Sequence, residues 1–228
     1  MLMLKILFIF SIFSMIGWII ESIYRFIMTK KVVNPGFMSG CVVPIYGFGA
    51  IILYGICKLS ESFSYKYEAI LVIIISMISL SILELLSGLF LLKYFNLRLW
   101  DYSKRKFNFK GIICLRFTLY WGILALIFYI FTYNFIDNLV LNIVNNSICL
   151  FLLGLFYGIF LIDLCISINL SSKIKKYAES NKKVIDLEKL KVDIIKRINK
   201  NRFINMLYPY ISTNVFLKSK IKDNKNDL

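Results

Sequence analysis

The sequence predicts an all-α membrane protein, a polytopic bundle of about five transmembrane helices with a basic helical cytoplasmic tail. Apolar residues make up 59% of the 228 residues and charged residues 18%, whereas soluble domains average roughly 25% charged residues. The apolar residues form blocks of about 20 residues, the length that a helix needs to cross a bilayer. The basic residues gather in particular loops and near the C-terminus.

Five apolar blocks define the predicted spans and two predicted domains. The N-terminal block is not followed by a small-residue cleavage site, so we expect it to remain as a helix. Residues 1–170 form the predicted transmembrane domain, and residues 171–228 form the basic cytoplasmic tail. The spans lie at about 2–27, 42–59, 69–92, 116–136 and 147–168.

The net charge of +15 indicates an orientation in the membrane rather than nucleic-acid binding. Nucleic-acid-binding surfaces use Lys and Arg to neutralise phosphates. Here the basic residues follow spans one and three and fill the tail, as they do on the cytoplasmic side of membrane proteins. We therefore expect the N-terminus outside, the C-terminus in the cytoplasm, membrane lipid as a partner and no nucleic acid. The oligomeric state stays open.

The sequence also lacks the residues and motifs that several kinds of functional site require. It has no histidine, and its five cysteines show no metal-ligand spacing, so neither a metal nor a cofactor is expected. The Gly-rich segment 34–50 lacks the G-x-x-x-x-G-K-[ST] pattern of a phosphate-binding loop. Because no nucleophile is recognised either, an enzyme is the least favoured class.

Residues 34–50, with the sequence NPGFMSGCVVPIYGFGA, predict a turn that leads into span two. Asn34-Pro35-Gly36 is typical of a tight turn, because Pro fixes φ and Gly tolerates positive φ. Pro44 suits the first turn of a helix, where its missing N–H has no partner to lose. Gly47 and Gly49 then allow another backbone to approach closely.

Three carboxylates, Glu21, Glu84 and Asp163, interrupt the predicted spans. A charge at the bilayer centre costs about 2.5–3.5 kcal/mol on insertion scales, so each requires compensation. Counted from the predicted span ends, all three lie roughly 8–12 Å below the cytoplasmic edge. Two interpretations stay open: a shared polar site for a cation, a proton or a polar headgroup, or salt bridging. The candidate charge partners are Arg25, at i,i+4 from Glu21, and Arg116.

Two cytoplasmic segments complete the pattern. The loop WDYSKRKFNFKG (100–111) carries aromatic residues typical of the headgroup level, so it is either an interfacial turn or a lip over the carboxylates. In the tail, apolar residues from Val184 to Ile198 share one helical face, which predicts a helix on an anionic leaflet, against a partner helix or in solvent. The candidate lip comprises Asn34, Tyr46, Trp100, Asp101, Tyr102 and Asn108.

Six motifs together resemble the CmpB-like family of type IV ABC-transporter permeases of Gram-positive bacteria. They are GWIIES (17–22), NPGFMSGCVVPIYGFGA (34–50), ILELLSG (82–88), WDYSKRKFNFKGIICL (100–115), YWG (120–122) and LIDLCISI (161–168). Two positions depart from the family pattern: Cys41 replaces a proline, and Ile112 replaces an arginine. The matching positions are Gly17, Trp18, Glu21, Asn34, Gly36, Gly40, Pro44, Tyr46, Gly47, Gly49, Glu84, Trp100, Asp101, Tyr102, Asn108, Gly111 and Asp163.

The resemblance implies a permease subunit of unknown substrate. Because the chain has no ATPase motif, such a subunit requires a separate ATPase chain, which the basic loop or the tail would dock. One alternative is a membrane scaffold or regulator that recruits partners or anionic lipid through its tail. A weaker alternative is an intramembrane enzyme that acts on lipid or envelope precursors.

Overall fold

The computed structural model describes residues 2–30, 34–61, 68–133, 135–136, 139, 146–180 and 185–186, and most of these residues are helical. The helix Leu115–Ile127 continues without a break into a five-residue π-helix, Phe128–Thr132. The α-helices are α1 Leu2–Thr29, α2 Pro44–Ser60, α3 Glu68–Phe95, α4 Leu115–Ile127 and α5 Ser147–Ser180; the short strands are β1 Leu97–Arg98, β2 Asn108–Phe109, β3 Ile113–Cys114 and β4 Ile185–Asp186.

The prediction of a helical membrane fold is confirmed. Within the described residues, four helices are long and apolar enough to cross a membrane: α1, α3, α4 with its π-helical extension, and α5. Helix α2 is apolar but has 17 residues, the short end of the range for a spanning helix. Many outward-facing side chains are large and apolar; Phe151 is 70% exposed and Ile162 is 64% exposed. Such surfaces are typical of contact with lipid.

The helix ends refine the predicted spans. Helix α2 begins at Pro44, as the sequence predicted, because proline at a helix start gives up no internal hydrogen bond. Helix α5 passes residue 170 and ends at Ser180, so the first residues of the predicted tail continue the last apolar helix. The remaining tail lies outside the described residues, apart from 185–186.

Strand β4 differs from the helix that the tail pattern predicted. Ile185 and Asp186 are extended and pair in parallel with Leu97 and Arg98. Their backbone groups therefore bond across to β1, whereas a helix would bond them along the chain. The other residues of the predicted tail helix lie outside the described part of the chain.

The structure divides into two units. The first comprises Met1–Ile16, Pro44–Ser87 and Asp101–Gly158. Its core is a cluster of apolar side chains contributed by α1, α2, α3 and the α4 region. The core residues are Ile9, Ala50, Leu53, Tyr54, Cys57, Val72, Leu80, Ala125, Phe128, Tyr133 and Ile136.

Helices α1 and α2 approach each other closely at Gly47. A Cβ added at Gly47 would lie 2.8 Å from the carbonyl oxygen of Phe10, a distance that real Cβ atoms do not reach. Gly47 is buried, and the ring of Phe10 packs edge-on against Phe48. The prediction of a close backbone approach is thus confirmed at Gly47, but not at Gly49, where an added Cβ would meet the side chain of Leu80 at 3.2 Å. Lys5 donates a hydrogen bond of 3.0 Å to the hydroxyl of Tyr54, which ties the same two helices at another level.

Two buried aromatic residues flank the π-helix at the end of α4, Phe128 as its first residue and Tyr133 directly after its last. Phe128 lies 5.4 Å from Phe13 between ring centroids, and Tyr133 lies 5.6 Å from Tyr54. The hydroxyl of Tyr133 also donates to Glu61. Both aromatic residues are therefore directed into the core of the first unit.

The second unit comprises Gly17–Val43, Gly88–Trp100 and Ile159–Leu228. Its buried side chains come from the end of α1, from the loop that precedes α2, from the end of α3 and strand β1, and from the second half of α5. Met38 and Leu97 are fully buried, as is Ile174. This unit holds the loop 34–43 against α5 by polar contacts.

Candidate functional site

Glu84 is a buried carboxylate on α3. It is 4% exposed, and each of its oxygens accepts a hydrogen bond. The hydroxyl of Tyr102 donates to Oε1 at 3.2 Å, and the indole N–H of Trp121 donates to Oε2 at 3.0 Å. Two neutral donors on different segments thus hold the carboxylate between α3, α4 and the loop that joins them.

Aromatic packing fixes both donors of Glu84. The ring of Tyr102 stacks on Phe117 at 4.4 Å, and the ring of Tyr46 lies 5.6 Å from Trp121. Because these rings are packed, the hydroxyl of Tyr102 and the indole N–H of Trp121 are already oriented toward the carboxylate of Glu84. Hydrogen bonds to a carboxylate favour its ionised form, whereas burial disfavours it. Such a group can bind a proton or a cation, and intramembrane carboxylates commonly do so.

Asp163 of α5 binds the backbone of the loop 34–43. Its Oδ1 accepts from the N–H of Ser39 at 3.1 Å, and its Oδ2 accepts from the N–H of Gly40 at 2.9 Å. The N–H of Ser39 also approaches the Oγ of Ser167 at 3.0 Å. Hydrogen bonds to an ionised acceptor are roughly twice as strong as neutral ones. The carboxylate therefore anchors the loop to α5.

Asn34 organises the same loop from within. It is 2% exposed, and its Oδ1 accepts from the indole N–H of Trp18 at 2.6 Å. Its Nδ2 donates to the carbonyl oxygens of Ser39 at 2.7 Å and Gly40 at 3.2 Å. One amide thus satisfies a donor from α1 and two acceptors from the loop.

Two glycines permit this loop conformation. Gly36 has φ of +76°, which side-chain-bearing residues rarely adopt, and the chain bends at Gly36 and Phe37, where the sequence predicted a turn. A Cβ at Gly40 would lie 2.9 Å from Oδ2 of Asp163. Gly40 is therefore required for the carboxylate to reach the backbone.

Cys41 lies in the loop 34–43, and the reactivity of its thiol depends on how that loop is packed. Burial, and to a lesser extent the negative charge of Asp163, raise the pKa of the Cys41 thiol above its usual value. A raised pKa leaves less thiolate at neutral pH, and the thiolate is the reactive form. We therefore expect slow alkylation of Cys41 at pH 7, with a rate that rises about tenfold per pH unit while the thiol stays mostly protonated.

Asp163→Asn should accelerate this alkylation, because it removes the charge that raises the thiol pKa and weakens the anchor of the loop. The measurement is the rate of maleimide labelling against pH, in a chain where Cys41 is the only cysteine. A chain unfolded in denaturant supplies the unperturbed rate. Equal labelling rates for Asp163→Asn and its parent would contradict the contact between the carboxylate and the loop.

Glu21 and Arg25 form the local pair that their spacing predicted. Nε of Arg25 lies 3.1 Å from Oε1 of Glu21. Arg25 is only 8% exposed, so the pair is partly shielded from solvent. In this case the structure supports the salt-bridge interpretation.

The remaining predicted residues lie in several settings. Arg116 is exposed and donates to the hydroxyl of Tyr120 at 2.9 Å. Asn108 and Asp101 stabilise the loop after α3, and Trp100 is half-buried. Glu84 belongs to the first unit, and Glu21 and Asp163 belong to the second; their grouping at one shared site stays a prediction. Within the described residues, no three Cys, Asp or Glu side chains form a group that could hold a metal ion.

Trp121, Ser39 and Ser167 contact the carboxylates but were not among the predicted site residues. Trp121 lies in the YWG motif, so the motif was a signal for it. Ser167 lies one turn after Asp163, on the same helical face. Ser39 contributes chiefly its backbone N–H, which no side-chain pattern reveals.

Comparison with known proteins identifies the family of the chain. No protein of curated function and no solved structure matched it. One family model, described as "Putative ABC-transporter type IV", matches residues 8–168 of the 228. That range includes both carboxylate networks and most of each of the four helices long enough to span a membrane. The protein therefore belongs to this family, as its motifs predicted.

Proposed function

We propose that the protein is the permease subunit of an ABC-type transporter and that a separate chain hydrolyses ATP. The family supports this role, and so do the apolar helices. The sequence contains no G-x-x-x-x-G-K-[ST] motif, so the nucleotide would bind to another subunit. The substrate is left open.

The observation that carries the proposal is the bond from Tyr102 to Glu84. Tyr102 lies in the loop between α3 and α4, and Glu84 lies inside the apolar length of α3. A permease driven by an external ATPase must transmit a change at its loops to the interior of its helices. Packed side chains and hydrogen-bond networks carry such coupling. The Tyr102–Glu84–Trp121 network has the connectivity for that task.

The partner can be tested directly. Tagged protein, purified from its native membrane after mild crosslinking, should carry an ATPase chain in a fixed ratio. The complex in proteoliposomes should hydrolyse ATP. If partners of another kind co-purify and no ATPase does, the protein would be a scaffold or regulator instead.

Glu84→Gln should lower ATP hydrolysis by that complex at least about tenfold while the chain still folds. Glutamine keeps the size of Glu84 but loses the charge, and its amide can accept only one of the two donated bonds. The expected loss of unfolding free energy is about 1–2 kcal/mol. Both quantities are measured on one preparation. Normal hydrolysis would exclude a role for Glu84 in coupling, and a fall in hydrolysis no larger than the fall in the folded fraction of the chain would make its role structural.

Two tyrosine variants provide the matched comparison. Tyr102→Phe removes only the bond to Oε1 and should lower hydrolysis in the same direction but less than Glu84→Gln. Tyr120→Phe makes the same chemical change on α4, where the hydroxyl pairs with Arg116, and should leave hydrolysis unchanged. Equal effects of the two variants would contradict coupling through Glu84.

A further inference from the structure

The loop after α3 folds into a small hairpin, residues 103–114, which we call the basic hairpin. Strands β2 and β3 pair in antiparallel register, with Phe109 opposite Ile113. Lys110 and Gly111 have φ of 55° and 68°, the two successive positive values that a type I′ turn requires. The side chain of Asn108 bonds to the carbonyl oxygen of Arg105 at 2.7 Å and accepts from Gly111 at 3.1 Å. The hairpin is therefore a defined structure rather than an irregular loop.

Two phenylalanines project from the basic hairpin. Phe107 is 81% exposed and Phe109 is 53% exposed. Phe107 also has φ of 53°, a strained conformation for a bulky residue, which the surrounding structure must enforce. The hairpin thus holds a large apolar side chain outward at the expense of backbone strain.

The hairpin that carries these phenylalanines also carries four basic side chains. The ammonium of Lys110 lies 5.6 Å from the centre of the Phe109 ring. The nearby acid, Asp101, accepts hydrogen bonds from the N–H and hydroxyl of Ser103. The four exposed cations of the hairpin are Lys104, Arg105, Lys106 and Lys110.

The hairpin lies at the end of a membrane helix. The carbonyl oxygen of Phe107 accepts from the N–H of Leu115, the first residue of α4, at 3.3 Å. Leu115, Leu119 and Ile123 are each about half exposed, at 50%, 52% and 55%. Their spacing of four residues places them on one face of α4. Phe107 therefore lies at the end of an exposed apolar stripe on a helix long enough to span a membrane.

We propose that the basic hairpin binds an anionic lipid leaflet, with Phe107 and Phe109 at the acyl-chain boundary and the four cations on phosphate headgroups. The stripe on α4 faces lipid, and the phenylalanines extend that surface beyond the helix. Phosphate headgroups supply the charge that the four cations require. A soluble acidic protein would match the cations, but it would leave the phenylalanines at the end of a lipid-facing stripe unexplained.

The first test asks whether the four cations of the basic hairpin make lipid binding selective for anionic headgroups. Full-length protein in detergent is titrated with phosphatidylglycerol and, separately, with phosphatidylcholine, and the bound lipids are counted by native mass spectrometry. Replacing the four hairpin cations with Gln should weaken phosphatidylglycerol binding roughly tenfold and leave phosphatidylcholine binding unchanged. A variant with the same charge change in the tail, at Lys189, Lys196, Lys200 and Lys218, measures separately what the tail contributes. Phosphatidylglycerol binding that survives the change in the hairpin, or that falls only as much as phosphatidylcholine binding does, would overturn the proposal.

A second test measures how deep positions 107 and 109 lie in the membrane when the full protein is reconstituted in vesicles. Nitroxide labels are placed at Phe107→Cys and Phe109→Cys in a chain without other cysteines, reconstituted in phosphatidylcholine–phosphatidylglycerol vesicles. The labels should collide more often with oxygen, which concentrates in the membrane, than with a water-soluble nickel complex. A label at Lys106→Cys should show less preference for oxygen. Greater access to nickel at Phe107 and Phe109 would overturn the proposal and indicate a surface for a soluble partner.

Discussion

Gly47→Ala is expected to lower the unfolding free energy of the protein by about 1–3 kcal/mol, as overpacking of a well-packed contact does. The added methyl group would lie 2.8 Å from the backbone oxygen of Phe10. Since that oxygen belongs to α1 itself, no side-chain rotation relieves the contact, and the two helices must separate. The measurement is thermal or denaturant unfolding of the full chain in detergent.

Gly55→Ala is the matched control, because both glycines lie in α2. Nothing lies within 4 Å of a Cβ added at Gly55. Alanine favours helix over glycine by about 0.8–1.0 kcal/mol, so this variant should be as stable as the parent or more so. Similar stability of the two variants would contradict the close approach of α1 and α2.

Asn34→Ala is expected to be still more damaging, at roughly 3–5 kcal/mol. It leaves the indole N–H of Trp18 and the carbonyl oxygens of Ser39 and Gly40 without their partner, and each unsatisfied buried group costs about 1–3 kcal/mol. Trp18→Phe should have a smaller effect, because Asn34 keeps its bonds to the carbonyl oxygens of Ser39 and Gly40. Unfolding of the full chain gives the free-energy change, and the labelling rate of Cys41 shows whether the loop itself has opened.

Asn146→Ala makes the same chemical change at an exposed position. Asn146 accepts from the N–H of Ile148 at 2.9 Å, at the start of α5. Loss of such a helix cap costs about 1 kcal/mol, and Cys41 labelling should not change. If Asn34→Ala behaved like Asn146→Ala, the amide of Asn34 would not be what holds the loop.

The helices and the buried charges could be predicted from local sequence, but most partners of those charges could not. Apolar blocks reveal a membrane helix wherever they occur, and Glu84 is conspicuous because an apolar run surrounds it. The Glu21–Arg25 pair was predictable since it lies within one turn. The donors to Glu84 and Asp163 come from up to 37 and 124 residues away, and no local spacing encodes such distances. For Asp163 the donors are also backbone N–H groups, which every residue except proline carries.

The ends and types of the secondary-structure elements were also only partly predictable from local sequence. Pro44 marks the start of α2 because its ring excludes an internal helix position. No residue of FYIFT (128–132) distinguishes a π-helix from the α-helix before it. Likewise, the strand at Ile185–Asp186 depends on pairing with Leu97–Arg98, which a helical hydrophobic pattern does not reveal.

The π-helix at the end of α4 acts as a one-residue spacer. In a regular α-helix, residues five apart differ by about 500° of rotation, so Phe128 and Tyr133 would point about 140° apart. The wider i→i+5 turn takes up the additional residue, and both side chains enter the same core, toward Phe13 and Tyr54. The segment therefore sets the rotational phase of the residues that come after it. If the same residues wound as a regular α-helix, Tyr133 would turn about 140° away from Phe128 and would lose its contacts with Tyr54 and Glu61. Deletion of one residue here should instead replace the π-helix by an α-helix and keep the tyrosine on the same face as Phe128, since the two would then be four residues apart.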